Sequence, residues 1–246
     1  MAVGSSALGV GLLALAAVPA AAQPLLGGSL LLTNESVFRG VLQARGRPTL
    51  QADLHAGLPG GGFAGWFVGI WASAATRAPS NLSNHELNLY AGLGLTLPRG
   101  WAAALRYVHY RYADASVYGR PDADELSASL RFEDRLSLSL GLAPNAGRRA
   151  DYGLVQRQAT RAYELVARQP LGWTPAGPLA LTASLGHYDT RALLGESYRA
   201  WDLGLAAQFG RAELSLVRID SSAAARRLFG VNAAHGRWAL SAAWKF

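Results

Sequence analysis

Charged side chains recur at alternate positions of otherwise apolar segments: Glu86, Arg106, Glu125, Arg131, Glu164, Arg168, Asp202 and Glu213. In an extended strand, successive side chains point to opposite faces. By parity, each of these charges lies opposite a face of Leu, Ala and aromatic residues, so together they line one polar interior. Charges of both signs on facing strands can pair across such an interior, or tune which ions pass through it. Catalysis has weaker support. Acyl hydrolysis or transfer needs a nucleophile held against a His, with a third group orienting it. None of His55, His85, His109, His187 and His235 sits in a nucleophile motif. Ser184 lies close to His187 in sequence, but a strand Ser is common in any polar interior. His109 stands among Tyr107, Tyr110 and Tyr112, which suits an aromatic belt at an interface. The chain has no Cys, so disulfides, thiolate nucleophiles and cysteine metal sites are excluded. No carboxylates have calcium-loop spacing, no His pair suggests zinc, and no Gly-Lys-Ser/Thr follows Gly60-Gly61-Gly62 to build a phosphate loop. No cofactor, no metal and no enzymatic activity are expected.

The elements that carry these charges read as strands. Leu50, Ala52, Leu54, Ala56 and Leu58 alternate with Gln51, Asp53, His55 and Gly57. The same period recurs in segments of approximately 29–40, 48–58, 63–73, 85–97, 101–112, 123–132, 135–144, 161–169, 178–188, 200–209, 211–220 and 237–246. Most are about ten residues, the length that a tilted strand needs to cross a hydrocarbon layer. The connections separate by parity. Those after even strands are short: 59–62, 98–100, 133–134 and Gly210, with 171–177 longer. Those after odd strands are long: 74–84, 113–122, 145–160, 189–199 and 221–236, with 41–47 shorter. An outer-membrane barrel has this asymmetry, with tight periplasmic turns and longer outer loops, whereas a soluble sandwich has no reason for it. Strands in lipid must also pair all round, which demands closure. Trp66, Trp71, Trp101, Trp201, Trp238, Trp244 and Phe246 are candidates for interfacial girdles.

Composition agrees with a barrel. Half the residues are apolar, yet mean hydropathy is only +0.12, because each lipid-facing residue is followed by a lumen-facing one. The one long apolar run, 7–22, has a small-residue site at Ala20-Ala21-Ala22 and reads as a secretory signal, although no Lys or Arg precedes it. Residues 1–22 are therefore expected to be cleaved, leaving 23–246 as the barrel. The net charge is +7, and every basic residue but Lys245 is Arg. The arginines are scattered rather than clustered, which argues against nucleic acid. They line an aqueous lumen, giving mild anion preference, or face anionic lipid headgroups.

Residues 28–43, which include Val37-Phe38-Arg39-Gly40-Val41, resemble the opening of the TorF-type porin family. That family begins its barrel with a Leu-Thr-Ser-Asp-Tyr-Val-Phe-Arg-Gly-Val-Ser-Gln-like segment; here Ser36 stands for its Tyr and Leu42 for its Ser. Pro48-Thr49-Leu50-Gln51 is similar to its Pro-Ala-Leu-Gln. Glu86-Leu87-Asn88-Leu89-Tyr90-Ala91-Gly92 is similar to its Glu-Leu-Asp-Leu-Tyr-x-Gly strand. Tyr110-Arg111-Tyr112, with the later Glu125, also matches. The resemblance implies a small outer-membrane channel, with Phe38, Arg39, Gly40, Gln51, Glu86, Tyr90, Tyr110 and Tyr112 as its motif residues. The expectation is thus an all-β, antiparallel, up-and-down transmembrane barrel of about twelve strands that passes small hydrophilic solutes. It would lie in a bacterial outer membrane with both termini periplasmic. Its partners would be membrane lipid and the barrel-assembly machinery, the latter reading the aromatic ending at Trp244 and Phe246. The alternatives are a barrel enzyme acting on acyl chains and a non-conducting structural or adhesion barrel.

Overall fold

An apolar outer face needs an apolar surrounding, and a strand placed there must have both its edges paired. The computed structural model describes residues 25–43, 47–59, 64–75, 85–112, 122–151, 154–174 and 177–246. Its main sheet closes on itself. The chain begins with β1 (Leu25–Thr33) and a short pair, β2 (Val37–Phe38) and β3 (Val41–Leu42), that stands apart from the main sheet. It continues through β4 (Thr49–Pro59), β5 (Ala64–Ala75), β6 (His85–Thr96), β7 (Trp101–Tyr112), β8 (Ala123–Phe132) and β9 (Leu136–Asp151). Then come β10 (Leu154–Thr174), β11 (Gly177–Asp189), β12 (Tyr198–Phe209), β13 (Ala212–Ser221) and β14 (Arg237–Lys245). Each of β4 to β14 pairs antiparallel with the next, and β1 closes the ring between β14 and β4, making twelve barrel strands.

The seam joins residues 28–33 of β1 to the end of β14. Leu30 stands opposite Trp244, and Thr33 opposite Ser241. Gly28 N–H donates to the Phe246 carbonyl at 2.9 Å, and Phe246 N–H donates back at 3.0 Å. A Cβ on Gly28 would strike the Asp53 carbonyl and the Phe246 ring, so the missing side chain is what leaves room for that ring at the seam.

Parity divides the strands as a barrel requires. On β12, Leu203 is 48% exposed on the outside while Ala206 on the inside is 2% exposed. The outer face carries aromatics near both rims. Trp66, Trp101, Trp173, Phe209 and Trp244 lie toward the short-turn end, and Tyr163, Trp201 and Trp238 toward the long-loop end. This is the girdle arrangement of a membrane barrel. Trp71 does not join it. Trp66, Val68 and Ile70 point outward on β5, so odd residues point inward, and Trp71 packs in the lumen beside Tyr90 and Tyr110.

Four sequence expectations need correction. The first barrel strand ends at Thr33 rather than at residue 40, because Asn34 to Ser36 break the alternation and the chain turns inward. The expected loop 145–160 is mostly strand, since β9 and β10 pair with each other up to Asp151 and Leu154. The expected connection 171–177 is largely strand too. A register shift between Pro170 and Gly172 absorbs the proline, which has no N–H to give to the ladder. Two long connections carry helical turns instead of open loop: α1 (Arg191–Leu194), and then α2 (Ala223–Phe229) with α3 (Val231–Ala234). The proposed signal, 1–22, and most of the connections 59–62, 74–84 and 113–122 lie outside the described residues.

Leu205 sits midway between Trp201 and Phe209 on the outward face of β12. Replacing it by Arg is expected to cost about 2–4 kcal/mol in refolding into lipid bilayers, the penalty of a cation at mid-membrane depth. Ser129→Arg, on an inward position, is expected to cost far less. Denaturant titration of folding into vesicles measures both.

Candidate functional site

Between β1 and β4 the chain folds back as a two-residue hairpin. Val37 stands opposite Leu42, and Phe38 opposite Val41. The two turn residues, Arg39 and Gly40, have φ of 49° and 74°. Positive φ at both central positions is what a tight type I′ hairpin turn requires. Gly40 meets this at no steric cost, and a Cβ there would fall on Ala200 and Ser221. For Arg39 the left-handed conformation costs about 1–2 kcal/mol, so its side chain must return at least that much.

It does so through buried charge pairing. The Arg39 guanidinium donates to Glu125 Oε2 on β8 at 2.8 Å and lies 3.7 Å from Glu164 Oε1 on β10. The Arg39 and Glu125 side chains are 10% and 6% exposed, so water screens the pair little. The guanidinium also stacks 4.6 Å from the Phe38 ring centroid and 5.6 Å from that of Tyr188. Tyr188 O–H donates to Glu164 at 3.0 Å. Burial opposes the Arg39 charge, but the fields of Glu125 and Glu164 outweigh it and hold its pKa above the usual arginine value.

Three further contacts fix the segment. Ser221 Oγ on β13 donates to the Gly40 carbonyl at 2.6 Å, Gln51 Nε2 on β4 donates to Ser36 Oγ at 3.5 Å, and Arg237 on β14 lies 3.5 Å from Glu35. Val41 packs with Tyr188, Tyr198, Ala200, Ala225 and Ala234. These partners come from β4, β8, β10, β11, β12, β13 and β14, which ring the barrel. A segment that touches all of them lies inside it, so residues 34–43 occupy the lumen toward the long-loop end. There they fix an inward fold rather than line an open entrance.

The remaining lumen is polar with an aromatic wall. Phe67, Tyr90, Val108 and Tyr110 pack along β5 to β7. Asp53 accepts from Tyr90 O–H at 2.7 Å and sits 2.6 Å from His55 Nδ1. Glu86 accepts from Asn88 at 2.8 Å. Toward the short-turn end, Glu213 lies between Arg168 at 3.3 Å and Lys245 at 3.6 Å, and Arg131 lies 3.6 Å from Asp134. Ser184 O–H donates to Asp202. Arg106 takes an inward position on β7, opposite Gly92.

All eight charges picked out in the sequence therefore face inward, yet they form no single cluster. Glu125 and Glu164 meet at Arg39; Arg168 and Glu213 pair; Glu86, Arg106, Arg131 and Asp202 are spread over different strands. Of the motif residues, Phe38, Arg39, Gln51, Glu86, Tyr90 and Tyr110 are buried inside the barrel. The side chain of Tyr112 lies outside the described residues. Sequence reasoning missed Asp53, Tyr188, Ser221 and Lys245. Parity alone marks Asp53 and Lys245 as inward, but nothing local marks Ser221 as the partner of a carbonyl 181 residues away. The Ser184–His187 pairing fails on geometry, since Ser184 points into the lumen and His187 lies on the outer face opposite Arg199. No group of His, Asp and Glu that could hold a metal ion occurs among the described residues.

Two solved structures share this architecture. The NanC porin has 8% sequence identity and a TM-score of 0.55, with 90% of this chain and 100% of that chain covered. A structure described as "Unveiling the Mechanism Behind the in-meso Crystallization of Membrane Proteins" has 10% identity and a TM-score of 0.58, covering 90% and 83%. At such identities the likeness concerns the fold. No curated protein matches the chain. A family model described as "Bacterial protein of unknown function (Gcw_chp)" matches residues 18–244.

Removing Arg39 strands the buried Glu125 carboxylate and takes from Glu164 its nearest cation. Arg39→Gln is expected to destabilise the folded barrel by about 3–5 kcal/mol, the usual cost of breaking a buried ion pair. Adding Glu125→Gln is expected to restore part of that loss. Urea unfolding of the single and double variants measures the coupling.

Proposed function

We propose a channel function for this chain, which belongs to the Gcw_chp family of bacterial proteins of unknown function. The barrel lies in a bacterial outer membrane with its short turns and both ends on the periplasmic side. It passes small hydrophilic solutes by diffusion. The observation that carries this reading is a closed ring of strands with an apolar outer band around an interior of paired charges, serines and tyrosines. The resemblance of residues 28–125 to TorF-type porins supports it. So does the strand count: twelve is more than the ~8-strand barrels whose interiors side chains fill, and fewer than the ~16–18-strand general porins.

The inward hairpin sets the conductance. It fills part of the lumen, so the wild-type pore is narrow and its conductance small. Selectivity is weak, because the inward carboxylates Glu35, Asp53, Glu86, Glu125, Glu164, Asp202 and Glu213 are nearly matched by Arg39, Arg106, Arg131, Arg168, Arg237 and Lys245. This departs from the mild anion preference inferred from composition, since much of the arginine excess lies outside the lumen. A second reading, a barrel closed by its own hairpin, is favoured by the burial of Val37, Phe38 and Val41.

Recording from planar bilayers tests both. Small single-channel steps in the wild type, larger steps in Arg39→Ala, and a reversal potential near zero in a salt gradient are the expected results. Silence in the wild type with steps in Arg39→Ala selects the closed form, and silence in both refutes the channel.

A further inference from the structure

Three of the arginines that do not face the lumen share one sector of the outer surface. Arg161 on β10, Arg199 on β12 and Arg218 on β13 share outward parity with Tyr163, Trp201 and Leu216, and all three lie toward the long-loop end. The register makes the patch continuous. Tyr163 stands opposite His187, and His187 opposite Arg199, across three neighbouring strands. Arg161 stands opposite Asp189 at the last position of β11.

Local acids leave this patch positive. Asp189 is shared between Arg191 at 2.8 Å and Arg161 at 3.6 Å. Asp220, the acid nearest Arg218, already pairs with Arg226 at 2.8 Å. Among the described residues the Arg199 guanidinium has no acidic partner. His187 Nδ1 is buried with no hydrogen-bond partner among them. The patch sits just above the apolar band, where Trp201 and Trp238 mark the rim. Arg218 lies 5.9 Å from the Trp238 ring centroid. Lipid phosphates lie at that depth, and guanidinium groups recognise phosphate by paired hydrogen bonds.

We infer that the outer face of β10 to β13 at the long-loop end binds the phosphate of an anionic lipid headgroup, with Arg161 and Arg199 as its main contacts. The inference rests on the membrane placement proposed above. Its ligand is a headgroup rather than a soluble phosphate, because the patch adjoins the apolar band and not the lumen.

Native mass spectrometry of the folded barrel in detergent, with phosphatidylglycerol or phosphatidylcholine added, tests it. The wild type is expected to retain phosphatidylglycerol preferentially. Arg161→Gln/Arg199→Gln is expected to weaken retention about 30-fold, from roughly 1 kcal/mol per basic residue at a charged membrane surface. Arg199→Gln alone breaks no ion pair and is expected to weaken it about fivefold. Arg135→Gln, in a turn at the other end, is expected to behave as wild type. Bilayer conductance of the double variant should be unchanged, which separates this inference from the channel reading. Equal retention of both lipids, equal retention by wild type and Arg199→Gln, or displacement of lipid by millimolar inorganic phosphate would each overturn it. A barrel that fails to insert at all strikes the membrane placement instead.

Discussion

Every backbone N–H and C=O that faces hydrocarbon needs a partner from the chain itself, and that constraint organises the whole molecule. It rules out an open sheet, so β1 must find β14, and the seam between them carries an antiparallel ladder, shorter than those of the other barrel strand pairs. Closure gives each strand two surroundings. Once one face is committed to an apolar medium, a one-residue slip would turn every Leu inward and every charge outward, so the register is held around the entire ring. The polar interior is the by-product of an outer surface that had to be apolar.

An interior so enclosed changes the rules for charge. In water an Arg–Glu contact contributes little, but between side chains about a tenth exposed the same contact is strong, and either partner alone is costly. Arg39 uses this to hold a segment that has little regular structure of its own. Its backbone sits in an unfavourable region, its guanidinium satisfies two carboxylates from different strands, and its planar face covers two aromatic rings. The hairpin is thus held by one long side chain reaching across the lumen, with Ser221 and Gln51 as lighter ties.

The barrel itself was legible because period-two alternation and loop-length parity are local signals. Leu54 and Leu203 announce their face by their neighbours alone. What alternation could not show was any departure from it in three dimensions. Residues 34–40 continue to look like strand on paper, since Val37 and Phe38 are good strand formers. Their inward fold depends on Glu125, Glu164 and Ser221, all far away in sequence. Trp71 was misplaced because its residue type outweighed its parity, and the parity was right. The extra length of β9 and β10 escaped notice because residues 145–160 lose the alternation: a strand that leaves the membrane no longer has two solvents to distinguish. The arginine excess was visible in composition, but its division between lumen and outer rim needed the register of β10 to β13.

That pair of long strands has a bearing on the mouth of the barrel. Beyond Leu142 on β9 and Arg161 on β10, the two strands have only each other as ladder partners, and β9 keeps a side-chain tie to β8, where Asp124 N–H donates to Asn145 Oδ1 at 2.7 Å. Such a ribbon satisfies its ladder hydrogen bonds at any tilt, so its angle is set by what it rests on. That support is α1, where a side chain at Gly147 would collide with Leu193. The bare backbone of one residue therefore decides how closely this ribbon of paired strands settles on its prop.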